Sequence, residues 1–284
     1  MKTIAAVTVL TLLALPQGAL AAGDPDVAAL QVGLRQKGLY GGTVDGVLGS
    51  GTVAAVRRLQ QRARLPVDGV PGPRTRRALG RFGRQPRLGG RLLAGGMRGW
   101  DVAALQFALA WRGFPSGLID GRFGPSTARA LRGFQRWAGL TPDGIAGRST
   151  FAALRRPAPT CPIRLVAPVA GPSTDGFGPR GNRFHAGLDY PGRAGTVVGA
   201  AAAGRVTFAG FSPGGWGNLV VVDHGGGVRT LYAHLSRVTA RAGQWVPAGR
   251  RVGHVGSTGH STGPHVHFEV RVRGAAVDPL GALR

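Results

Sequence analysis

The chain has 284 residues and a formal net charge of +24, carried almost wholly by arginine. That length fits two or more domains at roughly 100–200 residues each, and the single cysteine, Cys161, excludes an intrachain disulfide. So basic a chain raises nucleic acid as a partner, but its arginines are spread through amphipathic segments with no basic arm or recognition motif, which excludes that class and leaves attraction to an anionic polymer.

Lys2, an apolar run from Ile4 to Leu15, Pro16 and Ala19-Leu20-Ala21 supply the charged, apolar and A-x-A regions of a secretory signal. Residues 1–21 are therefore expected to be removed after Ala21, the run being too short to span a bilayer comfortably. No later segment is apolar enough to cross a membrane.

An internal repeat follows. Asp26-Val27-Ala28-Ala29-Leu30-Gln31 recurs as Asp101-Val102-Ala103-Ala104-Leu105-Gln106, an offset of 75 residues (101 − 26). The same offset maps Asp45-Gly46 onto Asp120-Gly121, Gln60 onto Gln135, Asp68-Gly69 onto Asp143-Gly144 and Thr75 onto Thr150, without a gap. An ungapped match of this extent means two copies of one small fold, placed at 24–80 and 99–155.

Each copy predicts three short helices. Asp26 or Asp101 is expected to cap the first, with Val27, Leu30 and Leu34 or their counterparts on one face. The second runs from Thr52 to Ala63, or Thr127 to Ala138, and the third ends at Leu79 or Leu154. The Asp-Gly pairs read as turns between them. Trp100, Trp111 and Trp137 read as core aromatics ahead of sugar-stacking platforms. Residues 81–98, rich in Gly and Arg, read as a flexible tether. Residues 156–163, richer in proline, read as a stiffer linker in which Cys161 is inert.

From residue 164 to 284 short apolar runs alternate with Gly and Pro, the pattern of an all-β domain. The expected strands include Val197-Val198, Gly204 to Gly210, Asn218 to Asp223, Val228 to Ala233, Gln244 to Pro247 and Arg251 to Val255. All seven histidines lie in this part of the chain. In His265-Val266-His267-Phe268-Glu269-Val270-Arg271-Val272, the apolar residues alternate at the strand period of two, so His265, His267 and Glu269 share a face. Imidazoles so placed can reach one small object, and a divalent metal is the obvious candidate. His185 and Asp189, in His185-Ala186-Gly187-Leu188-Asp189, add a further imidazole and a carboxylate. Two His and one Asp would leave a fourth tetrahedral position open, as in a catalytic zinc site.

Taken in order, His185 with Asp189, Tyr232-Ala233-His234-Leu235, Gly256-Ser257-Thr258-Gly259 and Thr262-Gly263-Pro264-His265-Val266-His267-Phe268-Glu269 resemble the lysostaphin/LytM-type zinc endopeptidases of peptidase family M23. The helical copies resemble the three-helix peptidoglycan-binding domain of wall hydrolases, through Asp-Gly, Phe123-Gly124 or Leu48-Gly49, and Phe134-Gln135 or Leu59-Gln60. The resemblance implies two small all-α three-helix domains followed by an all-β antiparallel-sheet metallopeptidase domain, with a groove across the sheet and the metal at its floor.

It further implies one Zn2+ held by His185, Asp189 and His267, with His234 and His265 as catalytic non-ligands. The resemblance does not say which of the two is the base; His265 is preferred here because it shares the strand of His267. Glu269 would orient a ligand or form a surface ion pair. Arg180, Phe184, Tyr190, Trp216, Asn218 and Tyr232 become candidates for the substrate groove, Arg180 to meet a peptide carboxylate. His224 reads as a structural hydrogen-bonder, His254 and His260 as solvated. The expected partners are peptidoglycan and anionic wall polymers, at the cell envelope or outside the cell, with hydrolysis of peptide bonds in stems or cross-bridges. A non-catalytic wall-binding or amidase-activating protein, or a zinc amidase, stands as the alternative.

Overall fold

The computed structural model describes residues 23–284, so the expected signal at 1–21 lies outside the described residues. Six helices come first: α1 (Pro25–Gln36), α2 (Ser50–Arg62), α3 (Pro73–Ala78), α4 (Trp100–Trp111), α5 (Pro125–Trp137) and α6 (Arg148–Leu154). They are two copies of one three-helix unit. Among the described residues no helix is long and apolar enough to cross a membrane.

The repeated Gln and Asp-Gly positions have one physical explanation. Gln106 is buried, and its Nε2 donates to Asp120 Oδ1, to the Arg122 carbonyl and to Thr127 Oγ1, while its Oε1 accepts from the Asp120 and Gly121 amides. Gln31, Gln60 and Gln135 grip Asp45-Gly46, Asp68-Gly69 and Asp143-Gly144 in the same way. Each glutamine thus ties one helix to one turn and satisfies backbone groups that burial would otherwise orphan.

Two expectations are corrected here. The cap of α1 is Asp24, whose carboxylate accepts from the Asp26 amide, and the cap position of α4 is Gly99. Asp26 and Asp101 instead sit in the first helical turn, where the helix dipole favours a carboxylate. Asp26 accepts from Trp100 Nε1, and Asp101 is buried against Arg91. Nor is 81–98 a tether. Leu93 is fully buried and exchanges two backbone hydrogen bonds with Ala146, while Gly96 and Met97 pair with Phe123. The reason is that α1 packs directly on α4, so one apolar core runs through both copies and includes Trp100. Trp111 and Trp137 are half-buried against aromatic neighbours, as their core reading requires.

The C-terminal domain consists of β1 (Gly178–Arg180), β2 (Arg183–His185), β3 (Leu188–Pro191), β4 (Val197–Gly199), β5 (Gly204–Ser212) and β6 (Gly217–Asp223), then β7 (Val228–Leu235), β8 (Arg237–Val238), β9 (Trp245–Val246), β10 (Arg251–His254), β11 (His265–Val272) and β12 (Ala275–Val277). The main sheet has the order β12-β11-β7-β6-β5-β9, with β3 paired to β11. All these pairings are antiparallel. Val266, Phe268 and Val270 enter the core from one face of β11 with Tyr232, Val220 and Leu188, leaving the opposite face for polar side chains. Cys161 is half-buried beside this core, and burial pushes its thiol up, away from the reactive thiolate.

The Gln106→Leu variant removes the partners of several buried groups at once. It should lower stability by about 2–4 kcal/mol, as a reduced urea midpoint with the slope unchanged. A midpoint equal to that of the unaltered chain would show that the turn holds without its glutamine.

Candidate metal centre

Strand register assembles the site. On β11, His267 stands directly across from Asp189 on β3, at the separation where cross-strand side chains meet. The chain reaches Asp189 through Gly187, which runs so close to β11 that a Cβ there would lie 2.3 Å from the Phe268 carbonyl oxygen. That close passage explains the glycine between His185 and Asp189. His185, at the end of the β1–β2 hairpin, completes the group.

Three atoms converge. His185 Nε2 is 2.9 Å from His267 Nδ1 and 3.1 Å from Asp189 Oδ1, and His267 Nδ1 is 2.9 Å from the same oxygen. Donors about 2.0–2.1 Å from a common tetrahedral ion stand roughly 3.3 Å apart, so this triangle fits a small divalent cation. All three side chains are largely buried, with 7%, 14% and 12% of their surface exposed in the order His185, Asp189, His267.

The outer shell fixes which atoms face inward. His185 Nδ1 donates to the Gly176 carbonyl at 2.8 Å, and His267 Nε2 donates to Glu269 Oε1 at 3.1 Å. Each neutral imidazole thereby aims a lone pair at the cluster, and the same nitrogen, once protonated, donates to Asp189 instead. Glu269 is buried and paired on its other oxygen with Arg271. Burial opposes its charge, but Arg271 and His267 outweigh burial and hold its carboxyl below the usual range. Burial likewise opposes ionisation of Asp189, yet hydrogen bonds from His185, His267 and Arg180 hold it well below the carboxylate range. For His267, burial disfavours the cation, while the Asp189 and Glu269 carboxylates win and push it up to about 9. The cluster therefore attracts positive charge strongly.

Two further imidazoles flank it. The His265 Nδ1–H donates to the Gly263 carbonyl at 2.8 Å, and its Nε2 lies 3.8 Å from Asp189 Oδ1. The His234 Nδ1–H donates to the Thr258 carbonyl at 2.8 Å, and its ring centre lies 4.9 Å from that of His265. His234 has a left-handed backbone, φ 62°, unusual for a residue other than glycine and a form of strain found at functional sites. Burial first, then the neighbouring His265 and His267, keep His234 below the ordinary histidine value despite the Thr258 bond.

The groove candidates fare differently. Tyr232 is fully buried, its hydroxyl bonded to the Ala201 amide and Thr230, so it is a core residue and not a groove residue. Tyr190 is also buried. Phe184 packs edge-on against Trp111 and Phe177. Asn218 donates to the Leu235 carbonyl and is tied to Thr258. Arg180 binds Asp189 Oδ2 at 2.9 Å and also Asp175. Trp216 is half-buried with its ring 5.7 Å from that of His267, and its carbonyl accepts from the His234 amide. His224 bridges the Ala203 carbonyl and Thr230, as its structural reading requires, and His260 is exposed; His254 is half-buried, with its Nδ1 buried and unpartnered. Sequence reasoning missed the carbonyls of Gly176, Thr258 and Gly263, since any residue type supplies a carbonyl.

Comparison with known proteins agrees with this layout. Residues 183–279 match the model of peptidase family M23, and residues 23–79 and 98–154 each match that of a peptidoglycan binding domain. The chain is 50% identical over 98 residues to the DD-carboxypeptidase/endopeptidase Mpg of Neisseria meningitidis serogroup B, covering 34% of this chain and 22% of that protein. It is 37% identical over 118 residues to the murein hydrolase activator NlpD of Salmonella typhimurium, covering 41% of this chain and 30% of that protein. The catalytic domain of lysostaphin from Staphylococcus simulans matches with 35% identity over 38% of this chain and 89% of that chain, at a TM-score of 0.36. The chain spans about a fifth of the length of the Neisseria relatives.

Glu269 fixes the ring of His267, so Glu269→Gln should weaken the affinity of the cluster for a divalent metal, with Zn2+ as the probe, by about 10–100-fold. Competition against a chromophoric chelator reads this directly. Equal affinity in the two proteins would mean that His267 is oriented without its carboxylate partner.

Proposed function

We propose, from the match of residues 183–279 to peptidase family M23, that the chain is a secreted zinc metallo-endopeptidase that hydrolyses peptide bonds in peptidoglycan stems or cross-bridges. The observation that carries the reading is the convergence of His185 Nε2, Asp189 Oδ1 and His267 Nδ1 within 3.1 Å of one another. Their donor set, two imidazoles and a carboxylate, suits Zn2+ and leaves a coordination position for substrate or water. When bound, the ion supplies a Lewis acid that acidifies water and polarises a carbonyl.

The remaining steps belong to the protein's own residues. His265, its Nδ1 engaged by the Gly263 carbonyl, turns Nε2 toward the cluster beside Asp189, placed to take the proton of an attacking water. His234, whose protonated form is disfavoured by burial, gives up a proton readily once it holds one. It is thus suited to hydrogen-bond the developing oxyanion and protonate the departing amine. Trp216 forms a wall beside His267, while Arg180 holds the outer oxygen of Asp189 and so keeps Oδ1 turned inward.

The helical copies match peptidoglycan binding domains, and the relatives that share the β domain include a DD-carboxypeptidase/endopeptidase and a murein hydrolase activator. The peptidoglycan binding matches and the endopeptidase relative support peptidoglycan peptides as the substrate, and the activator relative defines the rival, a non-catalytic activator. What favours the enzyme is that all three ligand candidates and both flanking imidazoles occupy one site, with the inner nitrogens of His185 and His267 turned toward Asp189.

Muropeptide mass spectrometry after incubation with purified wall separates the readings. New peptide termini are expected, whereas free glycan with intact stems would indicate an amidase and no release an activator. His265→Ala and His234→Ala should each retain zinc and lose about 10²–10⁴-fold in kcat. Undiminished turnover in either variant would remove that residue from the chemistry.

A further inference from the structure

The β1–β2 hairpin that ends in His185 is held by both helical repeats. The Val44 amide donates to the Gly181 carbonyl at 2.7 Å, and the Ile119 amide donates to the Asn182 carbonyl at 2.8 Å. Val44 and Ile119 are the same position in the two copies, and both are buried. Equivalent loops of a duplicated unit therefore grip consecutive carbonyls at the tip of one hairpin.

The base of that hairpin is braced by a side chain. Trp111, the last residue of α4, packs edge-on against Phe184, with ring centres 5.3 Å apart, and against Phe177, at 6.4 Å. Phe184 immediately precedes His185. Phe177 immediately follows Gly176, whose carbonyl receives the His185 Nδ1–H and so sets its tautomer. Trp111 thus bears on both the backbone that carries His185 and the acceptor that orients it.

A third contact reaches the other ligand strand. The Ala276 amide on β12 donates to the Gly113 carbonyl at 3.0 Å, and β12 pairs with β11, the strand of His267. Gly113 has φ +84°, and a Cβ there would come within 2.2 Å of the Ala276 carbonyl oxygen. The equivalent Gly38 of the first copy has nothing within 4 Å. The close approach is therefore a property of docking and not of the repeat.

We infer that the paired repeats are a clamp that positions His185 for the metal, with Trp111 as the positioning residue, so that they form part of the peptidase site in addition to any wall-binding role. This rests on the zinc reading proposed above. The clamp acts through preorganisation: a ligand held in place before the ion arrives loses little conformational freedom on binding it.

Chelator-competition titration of Zn2+ on the full chain tests it with Trp111→Ala, Trp111→Phe and Gly113→Ala. Trp111→Ala and Gly113→Ala should bind Zn2+ about 10–100-fold more weakly than the unaltered chain, with Trp111→Phe restoring most of the loss. Turnover of a soluble stem peptide at limiting zinc should fall in parallel. If Trp111→Ala loses its helical circular dichroism, Trp111→Leu is read in its place. Zinc affinities within about twofold of the unaltered chain in both docking variants would overturn the clamp and leave the zinc reading standing. Failure of the unaltered chain to take up zinc would instead remove the reading on which the clamp depends.

Discussion

The constraint on which the rest depends is the placing of three lone pairs within 3.1 Å of one another. A carboxylate and two imidazole nitrogens repel at that range unless positive charge lies among them. The protein imposes the geometry nonetheless: Gly176 and Glu269 occupy the outer nitrogens, and Arg180 occupies the outer oxygen of Asp189. Without an ion a proton answers the demand, which is why His267 is pushed up to about 9 even though its burial opposes it. A metal ion at this cluster would have to displace that proton, as expected where ligands must be deprotonated to bind.

How much of this was legible in the sequence depended on how local the cause was. The alternation along β11 is a property of consecutive residues, so the shared face of His265, His267 and Glu269 could be read directly. The opposition of Asp189 and His267 depends on register between strands 78 residues apart (267 − 189), and it entered through the ordered resemblance to a known family. Tyr232 was misplaced because β7 is a central strand buried on nearly every residue, which leaves no alternation to tell groove from core. The α1 cap shifted because Pro25 takes the first helical position, for which its fixed φ is suited, and this makes Asp24 the cap. In 81–98, glycine and arginine dominate the composition, and the few apolar residues that pin it, such as Leu93, carry no periodicity.

The duplicated unit shows how identical sequence positions come under different physical demands once two copies pack together. Gln31 and Gln106 do the same work in each copy, because the turn they hold is internal to the unit. Val44 and Ile119 keep equivalent backbone roles but meet different carbonyls, because one hairpin tip cannot be symmetric about the pair. Gly38 and Gly113 have parted furthest: both end a helix with positive φ, where glycine is favoured, yet only Gly113 lies against another domain.

That divergence changes the physical meaning of having two modules before a peptidase. Modules on flexible tethers raise the local concentration of scissile bonds but leave their orientation free. Here α1 packs on α4, the intervening segment is pinned through Leu93, and both copies are bonded to the ligand hairpin. A wall strand engaged by the repeats would then be held at a fixed position and angle relative to His185, Asp189 and His267. The advantage gained in that case is orientation as well as proximity, and it applies only to bonds that the fixed geometry can bring to the metal. Selection among the chemically similar bonds of a polymer would follow from where the repeats grip it as much as from side chains lining the groove.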